Sequence, residues 1–471
     1  MPLYESLDSI QAQLATGSLS CIDLVKHYLS NISKYRDLNA FIEVFEDEAL
    51  ELAKEIDEKI ASGKRGKLAG LVVGIKDMIS YQGHSSTAAS KILKGYESIY
   101  NSTAVQRLLD EDAIIIGRQN CDEFGMGSSS ENSAYGPVKN GANPEYVAGG
   151  SSGGSAVAVQ MGMCSVSLGT DTGGSVRQPA AFCGVIGLKP TYGRISRSGL
   201  LAYASSFDTI GIISDTIENN EKVLSVIAGK DEKDSTSSGN EYSSDATELS
   251  DPIRFCYYPE LLTSGLNSKV SKAFTDLIEM LKSKGHIVDE TSFPLQEYVL
   301  PTYYLLTMAE ASSNLARYDG VRYGHRSEEG KTFNDLFSNS RSEGFGPEVK
   351  RRIMMGTFVL SEGYYDAYIS KAQKMRALIK DHTSKVLSEY DFILSPTTPT
   401  TAFKLGVEHS NPVEMYLEDM FTVQASLAGI PAISIPFKEK FENLPIGLHI
   451  SANEFNENSL YKAAKYILAL D

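Results

Sequence analysis

The chain has 471 residues, 42% of them hydrophobic and 22% charged, which fits a soluble globular protein and excludes a disordered or fibrous one. Its 60 acidic against 44 basic residues give a formal charge of −16, so the chain is a poor binder of nucleic acid on its own electrostatics. No apolar run reaches the ~18 to 20 residues of a membrane helix, Met1-Pro2-Leu3-Tyr4-Glu5 has no signal-peptide pattern, and five scattered cysteines without a CxxC pair argue against disulfides or structural zinc and for a reducing cytoplasm.

The first sixty residues read as helices. Ser20 with Asp23 resembles a capping box, and Leu24, Val25, Tyr28, Leu29 and Ile32 follow at helical spacing. Leu52, Ile56 and Ile60 mark a second helix that stops at Gly63. Buried strands are then predicted at Leu71 to Ile75, Ala113 to Ile116, Cys164 to Leu168 and Ile210 to Ile213, with helical segments at Val105 to Leu109 and Ala156 to Met161. Residues 229–251 are polar, Ser-rich and without period, the pattern of a surface linker. A strand from Ile253 to Tyr258 and a helix near Ser271 to Lys284 resume the pattern, and a mostly helical insertion follows at about 295–390. Strands return at Phe392 to Leu394, Ala432 to Ile435 and Ile446 to Ile450, and Ser459 to Leu470 is an amphipathic helix. This alternation predicts an α/β fold, one large domain with a central mixed sheet covered by helices on both faces. Its parts are a helical segment 1–65, a Gly/Ser-rich core 66–228, the linker 229–251, and the remaining core 252–471.

Glycine is concentrated in two clusters, Gly149-Gly150-Ser151-Ser152-Gly153-Gly154-Ser155 and Gly169-Thr170-Asp171-Thr172-Gly173-Gly174-Ser175. Such loops aim backbone amides at an anion and deliver a hydroxyl among them. A mononucleotide cradle would carry a lysine in the loop, and neither cluster has one. Gly149-x-Ser151-x-Gly153 formally matches a nucleophile elbow, but none of the seven histidines lies in a convincing setting, although His449 follows a strand-like run. A third chemistry is a serine hydrolase with a lysine base: Lys76 ends the apolar run Leu71 to Ile75, where burial can strip its proton.

These residues resemble the amidase signature family. The resemblance rests on Gly149 to Ser155, on Gly169 to Ser196 (GTDTGGSVRQPAAFCGVIGLKPTYGRIS), and on Gly74-Ile75-Lys76-Asp77. It implies a triad in which Ser175 is the acyl-forming nucleophile, Ser151, entered through a cis peptide bond after Gly150, relays the proton, and Lys76 is the base. The amides of Thr172, Gly173, Gly174 and Ser175 form a row suited to an oxyanion. Longer runs, Asp122 to Gly136, Glu310 to Gly324 and Gly363 to Tyr368, resemble one branch of the family, the glutaminase subunits of heterotrimeric tRNA-dependent amidotransferases. That branch implies free glutamine as donor, with Arg352 (or its neighbour Arg351) on its carboxylate, Asp419 on its ammonium and Tyr303 lining the pocket. It further implies no metal or organic cofactor in this chain, ATP and Mg in a B-type partner subunit that also holds the charged tRNA, a small C-type subunit, and no membrane. The alternatives are a free-standing amidase and a scaffold with a dead site. One departure is visible: Gly141-Ala142-Asn143-Pro144 stands where the family tends to read Pro-Trp after Asn140, and the chain has no tryptophan.

Overall fold

The computed structural model describes residues 6–243, 248–262, 265–407, 416–438, 441 and 443–470. Met1 to Glu5 and residues 244–247 of the polar stretch lie outside them.

Among the described residues, eleven strands form one sheet. They are β1 (Phe41–Val44), β2 (Val72–Lys76), β3 (Ile114–Gln119), β4 (Val166–Asp171), β5 (Ile186–Lys189), β6 (Thr209–Ser214), β7 (Arg254–Tyr257), β8 (Ile287–Glu290), β9 (Phe392–Pro396), β10 (Ala432–Pro436) and β11 (Gly447–Ser451). Their order is β1-β3-β2-β4-β6-β5-β10-β11-β9-β7-β8. β2 runs parallel to β3 and β4, and β7 parallel to β8 and β9; the other pairs are antiparallel, so the sheet is mixed.

Both faces of the sheet are covered, and the pleat shows why the strands read as unbroken apolar runs. Val73, Ile75, Ile115 and Leu168 point into a core shared with the helices Thr103–Asp110, Ile217–Ile227 and Glu457–Leu468. Val72, Ile114 and Ile116 point the other way, onto the helices Cys21–Lys34, Glu46–Ala61 and Gly153–Gln160. Strands buried on both faces have no polar side to alternate with.

Three strands escape the sequence pattern. β1 interrupts the N-terminal segment expected to be helical; it is a four-residue edge strand, half-buried along its length. β5 is four residues long between the helix Arg177–Cys183 and a loop, and β8 is a mostly exposed edge. The Ser20 side chain does cap the helix Cys21–Lys34 by accepting from the Asp23 N–H at 3.1 Å. Part of the polar stretch is tied down: Asp231 accepts from Thr103 and Ser196, both at 2.6 Å, and Asp234 from the Arg197 N–H at 2.8 Å. Between β8 and β9, the helices Gln296–Asn314, Pro347–Leu360 and Tyr365–Glu389 share a separate apolar core with the helix Val423–Ala428.

Candidate active site

Parallel pairing sets the C-terminal ends of β2 and β4 side by side, with Ile75 opposite Leu168. β2 ends on Lys76 and β4 runs out through Thr170 and Asp171. The Lys76 Nζ donates to Ser151 Oγ at 2.7 Å, Ser152 Oγ at 3.0 Å and Thr170 Oγ1 at 2.7 Å. Lys76 is fully buried. Burial pulls its ammonium below the usual lysine range, against weaker opposing pulls from Cys121 and the carboxylates of Asp122, Asp171 and Asp208. A lysine so placed is suited to be a base.

Ser151 sits in the loop that opens the helix Gly153–Gln160, and the Gly150–Ser151 peptide bond is cis. Four backbone contacts fix the loop. The Gly150 N–H donates to Gln178 Oε1 at 2.8 Å and the Gly153 N–H to Ser130 Oγ at 3.0 Å. The Asp122 N–H donates to the Ser151 carbonyl at 3.1 Å, and the Ser152 N–H to the Ser175 carbonyl at 3.0 Å. The last bond joins the two glycine-rich loops.

Ser175 is half-buried, whereas Thr172, Gly173 and Gly174 before it are buried. Gly174 has φ of 148°, a conformation that a side chain would strain, and Thr422 closes on it by donating to the Gly173 carbonyl at 2.5 Å. Thr172 Oγ1 donates to Asp208 at 2.8 Å, and the second Asp208 oxygen accepts the N–H groups of Tyr203 and Ala204 at 2.9 and 3.0 Å. Burial pushes Asp208 up to about 6. Beneath the loop, Arg177 donates to both oxygens of Asp171, at 2.8 and 3.0 Å, and to the Thr422 carbonyl at 2.8 Å. His449 Nε2 lies 2.9 Å from Arg177 Nη1; burial first, then that guanidinium, hold the ring neutral by lowering its pKa well below the usual value. The nucleophile-elbow reading therefore has no histidine at Ser151, whose side-chain partner is Lys76.

The three residues expected around the far end of a donor amide converge beside this loop. Tyr303 packs its ring against the Gly173 backbone, so closely that no Cβ fits there. Arg352 is buried, donates through Nε to Glu348 at 2.7 Å and through Nη1 to the Tyr203 hydroxyl at 2.9 Å, and lies 5.6 Å from the ring centres of Tyr203, Tyr304 and Tyr416. Arg351 points outward with 44% of its side chain exposed, against 5% for Arg352. Asp419 accepts from Tyr304 at 2.5 Å and from Ser128 at 3.3 Å, and burial pushes it up to about 6. The site thus presents a lysine with three hydroxyls at one end and, at the other, a buried cation and a half-buried carboxylate.

Sequence reasoning missed Ser152, Thr170, Asp208, Tyr203, Tyr304, Tyr416 and Glu348. Ser152 and Thr170 lay in plain view, within the two glycine clusters. Glu348 also carries a signal, since it precedes Arg352 by four residues on one helix and so shares its face. The tyrosines carry none, being scattered from 203 to 416. At the departure after Asn140, the loop closes without tryptophan: Asn140 Nδ2 bridges the Val147 and Phe182 carbonyls at 3.1 and 2.9 Å, and the Gly141 N–H donates to Gln160 at 2.9 Å. All five cysteines are free and buried. Among the described residues no group of three or more His, Cys, Asp or Glu is arranged to hold a metal, and no helix is long and apolar enough to cross a membrane.

The chain belongs to the Amidase family, whose sequence profile matches residues 23–461. Among curated relatives, it is 47% identical over 462 residues to the A-type subunit of the glutamyl-tRNA(Gln) amidotransferase of Chlorobium phaeobacteroides, covering 97% of each chain. It is 48% identical over 470 residues to the protein of the same name from Oceanobacillus iheyensis, covering 98% of this chain and 96% of that one. The solved structure of the corresponding A-type glutamyl-tRNA(Gln) amidotransferase chain from Thermotoga maritima is similar at 37% identity with a TM-score of 0.77, over 98% of this chain and 93% of that one. A solved amidase at 30% identity has a TM-score of 0.84, over 98% and 99%.

Proposed function

We propose that this chain is the glutaminase subunit of a tRNA-dependent amidotransferase, hydrolysing glutamine at a Ser175–Ser151–Lys76 triad and passing the ammonia to a partner. The observation that carries this reading is the pairing of a buried lysine on a serine loop with Arg352 and Asp419 at the other end of the same site. The names of the relatives, matched over nearly the whole chain, support it further.

In the reaction, neutral Lys76 accepts the Ser151 proton while Ser151 takes that of Ser175. Ser175 Oγ bonds to the carboxamide carbon, and the oxyanion meets the amide row of Thr172, Gly173, Gly174 and Ser175. The C–N bond breaks, the proton returns through Ser151 to the nitrogen, and ammonia leaves a glutamyl ester. Water attacks that ester by the same relay, giving glutamate and free Ser175. Arg352 has committed Nε and one Nη1 hydrogen, so its Nη1/Nη2 edge is left for the α-carboxylate. Asp419 receives the α-ammonium, and Tyr303 walls the aliphatic part.

The ammonia is consumed elsewhere. The chain carries −16 and no phosphate-binding lysine loop, so tRNA binding and ATP-dependent activation with Mg belong to a B-type subunit, accompanied by a small C-type subunit. Ser175→Ala is expected to abolish glutaminase activity and glutamyl-enzyme formation, while supplied ammonia still supports amidation by the assembled complex. Substantial glutamine hydrolysis by that variant would overturn the nucleophile. Tight tRNA binding by the isolated chain at physiological salt would overturn the division of labour.

A further inference from the structure

Two opposite charges in one pocket ordinarily find each other, yet the buried Arg352 and the half-buried Asp419 do not pair. Arg352 spends its ion pair on Glu348, at 2.7 Å, and among the described residues Asp419 accepts from two hydroxyls, those of Tyr304 and Ser128. Tyr304 meets both. Tyr304 donates its hydroxyl to Asp419 Oδ2 at 2.5 Å while its ring centre lies 5.6 Å from the Arg352 guanidinium carbon.

Its own position is fixed on two further sides. The ring stacks on Tyr416 at 4.1 Å and 27°, and meets the edge of Tyr303 at 5.0 Å and 77°. Tyr303 in turn rests on the Gly173 backbone, so the wedge is referenced to the loop that carries Ser175. A tyrosine serving only as core packing would leave its hydroxyl to a backbone carbonyl or to solvent; this one is committed to a carboxylate in the site.

We propose that Tyr304 is the specificity-determining spacer of this pocket: it keeps Arg352 and Asp419 from pairing with each other, so that both remain for the carboxylate and ammonium of a free α-amino acid and donor amides bearing both charges are preferred over those lacking one. This rests on the glutaminase reading given above. The ring keeps the guanidinium from collapsing onto the carboxylate, and the hydroxyl fixes which Asp419 oxygen remains for the substrate. Tyr304 is a positioning residue; its effect reaches the substrate through Arg352 and Asp419.

The test compares glutamine with glutaramate, which has the same carboxamide and carboxylate but no α-ammonium, on the full chain purified with its partner subunits. Tyr304→Phe keeps the ring and loses the hydroxyl. It is expected to raise the KM for glutamine about tenfold with kcat within about twofold, and to leave glutaramate turnover unchanged, so the preference for glutamine falls about tenfold. Tyr304→Leu, which removes the ring as well, is expected to raise the glutamine KM further as Arg352 and Asp419 close on each other. If Tyr304→Phe leaves the preference intact while Asp419→Asn abolishes it, the spacer is overturned and the pocket stands. If the wild-type protein does not prefer glutamine to glutaramate, the pocket itself is wrong.

Discussion

Lys76 Nζ and Thr170 Oγ1 lie 2.7 Å apart across the parallel β2–β4 pair, and the Thr170 hydroxyl proton is directed at Met78 Sδ, 3.7 Å away. Ser152 behaves alike, giving its proton to the Thr170 carbonyl at 3.1 Å while facing Lys76 at 3.0 Å. Both hydroxyls are thus placed to accept from the amine. The ammonium donates to all three hydroxyls; a neutral lysine has two N–H bonds, and when Ser152 and Thr170 take them the lone pair is left for Ser151. Thr170→Val removes one acceptor at nearly constant volume. Its kcat for glutamine should fall by about 10- to 100-fold, the scale of a misdirected base, with KM unchanged. Steady-state kinetics with an unaltered kcat would show that the amine orients itself.

Lys76→Arg should be as inactive as Lys76→Ala. A guanidinium stays protonated and cannot take the Ser151 proton. If the proposed triad works as one unit, combining Lys76→Ala with Ser175→Ala should cost no more than either alone, measured as residual glutamine hydrolysis. An active arginine variant would make Lys76 a fixed charge instead of a base.

Glutamine affinity should depend on pH through Asp419. Burial raises its pKa to about 6, so the free protein loses the ionised carboxylate, and with it the ammonium site, as pH falls through that value. KM for glutamine should be flat above about 7 and climb toward tenfold per unit below about 6. Asp208, also pushed to about 6, touches Thr172 in the catalytic loop and so should act on kcat. Asp419→Asn should remove the acid limb of KM and leave that of kcat. Persistence of the KM limb in this variant would assign it to another group.

Asp171→Asn tests the frame beneath the nucleophile. Asp171 and Arg177 are both fully buried, and the carboxylate also takes the Val176 N–H at 3.1 Å. Losing one partner of such a pair leaves an uncompensated charge and should cost about 3–5 kcal/mol. Denaturant unfolding should show a lower midpoint at unchanged slope, and activity should fall even where the fold persists. A variant as stable as the parent would mean that the Thr422 carbonyl, Ser426 and His449 alone can hold Arg177.

What the sequence revealed and what it hid follow from locality. β2, β3, β4 and β6 were legible because strands buried on both faces are continuous apolar runs, and the Ser151 and Ser175 hydroxyls because glycine crowds around them. β1 and β8 hid because a half-exposed edge strand of four residues has neither a run nor a full alternation. The proposed triad sits within two short segments and the end of one strand. The Arg352 surroundings come from positions 203, 304, 348 and 416, brought together only by the packing of the helical layer on the sheet. Tyr303 and Tyr304 illustrate the limit: side by side in sequence, one meets the catalytic loop and the other spans two charges, and nothing local separates them.

The chain's 25 tyrosines and lack of tryptophan give the aromatic wall around Arg352 an optical consequence. Three of those tyrosines, 203, 304 and 416, crowd a guanidinium, and the Tyr304 phenol is hydrogen-bonded to a carboxylate, an arrangement that quenches emission. Occupation of the pocket by a zwitterion changes the field at all three rings at once. Light absorbed selectively by indole would pass through this chain unseen. A single tryptophan introduced on the rim, or tryptophans native to a bound partner, would therefore report assembly against a dark background, while the tyrosine signal reports ligand arrival.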